Sequence, residues 1–379
     1  MLSGRFKYVL VTAVLLIACV AGGLVVLHGK SGAATPQQQA AERHSVSKAK
    51  SASKAAPKHK VLFGISDNEL IHQTAKGQAR TLARMRSIGI NSVRFDADWD
   101  WVQFGGQDSF DWTLLDREVH SALAAHMSVD LVIDGCPPWA AAKGASGDSE
   151  PSPASAAQFA AWAGDVAQRY GPQGVKYYEI WNEPNDSKFW QPKVNPAFYA
   201  KMLTASYKAI KKAEKNAYVI AGGLAPVTNA HGSMSAISFL NSMYAHGAKP
   251  YFNAIATHPY SFPALPDTYE PWSAWSQMSQ TSPSLRGVMA RYKDSGKPIW
   301  ITEFGAPSDG PNGVGAYGEA AELKQAITLS KSTRWIAAIY IYSWQDLGTK
   351  KWTNADWFGL LNHAGKPKPA YQAAKAAIK

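Results

Sequence analysis

Glu183 and Glu303 each end an apolar, β-prone run and each stand just before residues that break a strand. Their settings are Glu179-Ile180-Trp181-Asn182-Glu183-Pro184-Asn185 and Trp300-Ile301-Thr302-Glu303-Phe304-Gly305. A carboxyl group where a buried strand meets a loop sits at the mouth of a sheet or barrel, where loops held by a rigid scaffold carry chemistry. Two such groups from different strands can face each other across a pocket. One then protonates a leaving glycosidic oxygen, and the other attacks the sugar or activates water. A single glutamate after a strand is ordinarily a solvated loop residue. The repeated arrangement, with Trp-Asn-Glu-Pro around the first member, points to paired carboxyl chemistry.

Bringing two strand ends together requires an ordered set of strands. Alternating β-like and helix-like segments begin at Val61. The strand candidates are Val61–Ile65, Asn91–Phe95, Ser128–Ile133, Val175–Trp181, Tyr218–Gly222, Phe252–Thr257, Pro298–Thr302 and Trp335–Tyr342. Amphipathic stretches lie between them, at Gln78–Ser87, Leu114–Ala125, Ala154–Arg169, Ala197–Lys212, Leu285–Tyr292 and Glu319–Ser330. Eight βα units over residues 61–379 predict an α/β fold, a single (β/α)8 TIM barrel. A doubly wound sheet is the alternative, but Gly64-Ile65-Ser66 after the first strand is not a dinucleotide fingerprint.

The active site of such a barrel is built at the C-terminal ends of its strands. The polar and aromatic residues expected there are Arg94, Asp96 and Trp99 after the second strand and Asp134 after the third. Asn182 and Glu183 follow the fourth, His258 and Tyr260 the sixth, Glu303 the seventh, and Trp344, Gln345 and Asp346 the eighth. With these in place the chain resembles the clan A glycoside hydrolases. Asn182-Glu183-Pro184 is similar to the clan's acid/base motif, and Thr302-Glu303-Phe304-Gly305 to its nucleophile motif. Arg94, Asn182, His258, Tyr260 and Trp344 resemble its supporting residues. The run from Glu179 to Asn185 is most similar to family 39 and to the bacterial biofilm-polysaccharide hydrolases near it. The resemblance covers residues 61–379, including Trp357-Phe358-Gly359-Leu360 and the Lys366–Tyr371 segment.

The resemblance implies a retaining glycosidase with Glu183 as acid/base and Glu303 as nucleophile. Arg94, His258 and Tyr260 would orient Glu303, Asn182 would hold the sugar 2-hydroxyl, and Trp344 would floor the subsite. Trp99 joins them as a candidate sugar-binding residue. A polysaccharide or oligosaccharide is the expected substrate, acted on by a monomeric catalytic body. Two other readings stay open: a barrel that only binds glycan or scaffolds its synthesis, and a transglycosylase using the same glutamates. Glu179 shares strand parity with Trp181 and Glu183, which predicts a buried, hydrogen-bonded residue inside the barrel rather than a third catalytic group. Trp272 and Trp275, after the sixth strand, read equally as sugar platforms or packing anchors.

The formal charge is +11, but residues 1–60 hold nine Lys/Arg against Glu42 alone, a charge of +8, and the remaining 319 residues carry only +3. The basicity belongs to a tail, so a nucleic-acid partner is not expected. All 14 Trp lie beyond residue 60, and aromatic faces suit sugar rings as well as cores. Of two cysteines, Cys19 lies in an apolar run and Cys136 reads as a small buried residue; neither a disulfide nor a metal site is expected. No phosphate loop or nucleotide motif is present, so no cofactor is expected either.

Tyr8–Leu27 is an uncharged run of 20 residues preceded by Arg5 and Lys7, long enough to cross a bilayer core. Leu16-Ile17-Ala18-Cys19 resembles a lipoprotein cleavage box, but the run stays apolar through Leu27, which favours an uncleaved signal anchor over residues 1–28. The flanking positive charges marginally place the body outside the cytoplasm, in the periplasm or at the cell surface. Residues 29–60 lack aromatic and almost all branched apolar residues, which predicts a disordered basic linker. The catalytic body is expected over 61–379.

Overall fold

The structure is a computed structural model that describes residues 60–145 and 149–379. Eight parallel strands close into one barrel in sequence order: β1 (Leu62–Ser66), β2 (Ser92–Asp98), β3 (Ser128–Asp134), β4 (Tyr177–Ile180), β5 (Tyr218–Leu224), β6 (Ala254–Thr257), β7 (Ile299–Phe304) and β8 (Ile336–Ile341). β1 pairs with β2 on one side and with β8 on the other, which closes the ring. The TIM barrel expected from the sequence is therefore present.

Parallel neighbours need long crossovers, and helices supply them. They are α1 (Ala75–Ser87), α2 (Trp99–Val102), α3 (Thr113–Ala124), α4 (Ala156–Tyr170), α5 (Pro196–Ala213), α6 (Ala236–Ala245), α7 (Ala274–Ser279), α8 (Leu285–Arg291), α9 (Gly315–Ser332) and α10 (Pro369–Ile378). Thr74, Ser155, Asn195, Ser235 and Ser284 cap helix starts by accepting backbone N–H groups, which satisfies donors the helices leave open. The six helices expected from periodicity are all present. α2, α6, α7 and α10 join them.

Strand alternation sorts side chains into two layers. Outward residues such as Phe95, Leu131, Ile180, Ile255 and Ile339 pack with Leu82, Phe159, Leu203, Leu240 and Leu323 of the helices. Inward residues Ile220, Ala254, Ala256, Trp300, Ala338 and Tyr340 fill the lumen with Leu62, Tyr177 and Tyr218. Trp300 on β7 lies 4.9 Å from the Tyr177 ring on β4, a contact made across the barrel. This apolar plug closes the N-terminal end and leaves the polar layer above it to face the mouth.

The expected anchor, residues 1–28, and residues 29–59 of the expected linker lie outside the described residues. Among the described residues, no helix is long and apolar enough to cross a membrane.

Candidate active site

Arg94 stands at the centre of the mouth, 2% exposed, and its guanidinium joins four strands. Nε and Nη2 donate to the two oxygens of Glu179, each at 3.1 Å, in a bidentate pair. Nη2 also donates to Asn182 Oδ1 at 2.9 Å, while Nη1 donates to Ser66 Oγ and to Glu303 Oε1, both at 3.0 Å. Such a fork is specific to guanidinium, whose planar donors match carboxylate geometry. Glu179 is fully buried, as its parity predicts, and also accepts from the Gly223 amide at 2.8 Å. Its negative charge compensates Arg94, so the pair holds position rather than opening to the pocket.

Glu303 lies within β7, and its second oxygen accepts from the Tyr260 hydroxyl at 2.9 Å. Glu183 lies past the end of β4, where the chain leaves the extended conformation: Trp181 has φ 69° and Glu183 has φ 48°. That left-handed stretch is held on three sides. The Glu183 amide donates to Gly223 O at 3.0 Å, Trp181 Nε1 donates to Phe189 O at 2.7 Å, and Asn185 bonds both ways with the Ala225 backbone. The close approach of β5 depends on glycine: a methyl group at Gly222 would stand 2.1 Å from Trp181 O.

His258 connects the two glutamates. Its Nδ1 is 2.7 Å from Glu183 Oε1 and 3.7 Å from Glu303 Oε2. Two oxygens that close to one atom can be no farther apart than those distances laid end to end. Those two oxygens therefore lie closer together than the roughly 6.5–9.5 Å by which carboxyl groups stand apart when a water is held between sugar and base. Both glutamates keep a little solvent contact, with side chains 14% and 15% exposed.

Burial, followed by the neighbouring Asp186 charge, pushes the Glu183 carboxyl up to about 8. It is therefore mostly protonated near neutral pH. Burial lowers His258, which keeps its imidazole neutral. Burial and then the Glu303 charge hold the Tyr260 phenol far above its ordinary value, so it remains a donor to Glu303. The rim beyond is acidic, with Asp96 pushed up to about 7 and Asp98 to about 8, each chiefly by burial.

The structure brings Arg94, Asn182, Glu183, His258, Tyr260 and Glu303 into one cluster. It does not bring the two tryptophans of the expected set there. Trp99 is buried against Trp139, Phe159 and Trp162, and its indole N–H donates to Gln103. Trp344 lies between Arg84 of α1 and Tyr371 of α10. Both expectations are corrected by packing: each ring fills the layer between strands and helices. After β8, Tyr342 packs on Phe358, and its phenol is pushed well up by burial and then by the Glu303 charge, with Glu183 contributing. Tyr342 continues the inward parity of Ala338 and Tyr340, which carried the signal. Trp275 is buried against Phe304, whereas Trp272 is 45% exposed. Cys136 is buried, as expected for a small apolar residue. Among the described residues, no group of three or more His, Cys, Asp or Glu side chains has the geometry of a metal site.

The sequence model of the cellulase family, glycosyl hydrolase family 5, matches residues 53–345. No curated protein matches the chain in sequence. Among solved structures, a family 39 glycoside hydrolase from Bacteroides cellulosilyticus WH2 superposes with a TM-score of 0.63 at 20% identity, over 85% of this chain and 64% of that one. A family 5 subfamily 18 enzyme from Streptomyces cattleya, in complex with GlcNAc, gives 0.62 at 14% identity, over 85% and 80%. Xylanase 10B from Thermotoga petrophila RKU-1, in complex with xylobiose, gives 0.57 at 15% identity, over 85% and 94%. At these identities the likeness is one of fold, and the chain spans less than two thirds of the Bacteroides enzyme.

Proposed function

We propose that this chain, which belongs to the cellulase family, glycosyl hydrolase family 5, is a glycosidase that cleaves O-glycosidic bonds of an extracytoplasmic polysaccharide by double displacement on Glu183 and Glu303. Glu303 attacks the anomeric carbon, forming a carbon–oxygen bond as the glycosidic bond breaks and Glu183 protonates the departing oxygen. Water then enters, Glu183 takes its proton, and the bond to Glu303 is broken with a second inversion. Net retention of configuration follows.

The observation that carries this reading is the single His258 nitrogen lying 2.7 Å from one carboxyl and 3.7 Å from the other. Carboxyls that both face one nitrogen at these distances favour the closer spacing of a nucleophile and an acid over the wider one that holds a water. The electrostatics support the same division of roles. Glu183, raised to about 8, is mostly protonated near neutral pH, as a general acid must be. Glu303 receives a charge-assisted bond from Arg94 and a phenol bond from Tyr260, which hold its two oxygens in place. Arg94 fixes the Asn182 amide by its oxygen, which suits an N–H donor to a sugar hydroxyl.

We further propose that residues 1–28 anchor the protein in a membrane and that 29–60 tether a monomeric body outside the cytoplasm. The uncharged run Tyr8–Leu27 and the basic, core-poor stretch after it support this.

The deciding experiment uses activated 2-deoxy-2-fluoro glycosides of glucose, xylose and mannose. One of them should inactivate the protein and leave its sugar on Glu303 in a peptide map. Proton NMR of the matching substrate should show the retained anomer first. An inverted first product, or a label on another residue, would falsify the assignment.

A further inference from the structure

Among the described residues, the large apolar side chains left exposed lie in segments that leave the C-terminal ends of strands. Phe104 and Phe110 follow β2, Tyr269 and Trp272 follow β6, Tyr317 follows β7 and Trp352 follows β8. Phe104 is 61% exposed and Trp352 is 73% exposed. The connections on the other face, which lead from helices into strands, present none. A single exposed aromatic needs no explanation, but confinement of all of them to one face does.

The strand order decides what lies between them. In a closed barrel of eight sequential strands, β2 and β6 stand opposite each other. Glu183 leaves β4 and Glu303 sits on β7, so the line joining the β2 and β6 loops passes between the two carboxyls.

Both loops are firmly mounted. The Gln103 side chain accepts from Trp99 Nε1 and donates to Gln107 O, and its carbonyl accepts from Trp139 Nε1 at 2.8 Å. Phe104 projects from that anchor. On the far side, Trp275 packs edge-on against Phe304, the neighbour of Glu303, and Trp272 stands three residues before it. Each exposed ring thus sits beside a buried anchor, which keeps low the entropy lost when a ligand stacks on it.

We propose that Phe104 and Trp272 stack on sugars on opposite sides of the scissile bond, so that a long glycan lies across an open cleft and is cut within its length. This rests on the two-glutamate reading above. An enzyme that removes terminal units needs aromatic support on one side of the bond and a wall on the other. Rings on both sides fit a chain that passes through, since the C–H faces of pyranose rings stack on aromatic faces. A protein or membrane seated on both loops would cover the carboxyls between them.

The test uses the full chain on soluble carboxymethylcellulose, arabinoxylan and glucomannan, together with aryl β-glycosides of glucose, xylose and mannose. At least one polymer should lose viscosity steeply while few reducing ends appear, with mixed oligosaccharides as first products. Phe104→Ala and Trp272→Ala should each lower the ratio of polymer to aryl-glycoside kcat/KM about tenfold, and Phe104→Tyr and Trp272→Tyr should restore it. Release of one small sugar with viscosity falling only in proportion overturns the inference. So does aryl-glycoside turnover without cleavage of any polymer, and in both cases the two glutamates keep their roles. Alanine variants that leave the ratio unchanged remove these two side chains from substrate binding. No turnover of any substrate and no label on Glu303 removes the two-glutamate reading, and the inference with it.

Discussion

The amide of Glu183 donates to the carbonyl of Gly223 at 3.0 Å, so the residue proposed as the acid is hung from the neighbouring strand by its backbone. The Gly223 amide in turn donates to Glu179 Oε1. A methyl group at Gly223 would stand 2.2 Å from His258 Nε2 and 2.8 Å from Thr302 Oγ1. Gly223→Ala should therefore push His258 from between the two carboxyls. A displacement of about 1 Å in such a group can cost about 100-fold in rate, and kcat on an aryl glycoside should fall on that order while cooperative unfolding survives. Near-normal kcat would show that His258 does not align the pair.

The pH profile should reflect Glu183, whose carboxyl is raised to about 8 by burial. The proton it donates is present below that value and lost above it, so kcat/KM for a poor leaving group should fall as pH rises through about 8. A dinitrophenyl leaving group needs no proton, and that limb should then flatten in the bond-breaking step. Glu183→Gln should flatten it as well. A basic limb that survives both changes belongs to another group.

Stability should also fall as pH rises. Asp67 and Asp96 are raised to about 7, and Glu319 and Glu322 to about 8, in each case chiefly by burial. A carboxyl whose value is higher folded than unfolded binds more protons in the folded state. Its stabilising contribution is complete below about 4 and is lost as pH climbs toward the folded value. Calorimetry should find a higher Tm at pH 5 than at pH 8. A Tm that climbs over that range contradicts the burial of these groups.

Arg94 should tolerate neither loss nor conservative change. Arg94→Met leaves Glu179 buried without its cation, a defect of the kind that costs about 3–5 kcal/mol. Arg94→Lys keeps the charge but cannot span Glu179, Asn182, Ser66 and Glu303 at once. It should lose less stability in urea than Arg94→Met yet still show a large drop in kcat. Equal denaturation midpoints for the two variants would argue that the charge matters little.

A chain beginning at Val61 should fold cooperatively and keep full activity on soluble substrate, because the sequence of residues 28–60 is poor in core-forming side chains and all eight βα units lie beyond it. The full chain should fractionate with membranes and keep its amino terminus. Loss of cooperative unfolding in the shorter chain would move the boundary. A mature chain beginning at Cys19 would replace the anchor by a lipid.

The barrel was legible because its signals are local. Each strand is a short apolar run with a terminating residue, and eight of them recur with helical periods between. The observed strands differ from the expected ones by a few residues at most. Glu183 and Glu303 stood out for the same reason, since Pro184 and Gly305 mark the points where the chain turns away from the sheet. What those side chains meet is not local. The Arg94–Glu179 pair, the His258 nitrogen between two carboxyls and the glycine pair at 222–223 each join residues far apart in sequence. Once a strand ends, backbone torsions such as those of Trp181 and Glu183 decide where a side chain goes. Position after a strand end was therefore no guide at Trp99 and Trp344, whose rings joined the outer packing. The protonation of Glu183 came last of all, because it follows from the water that the assembled strands and loops together exclude.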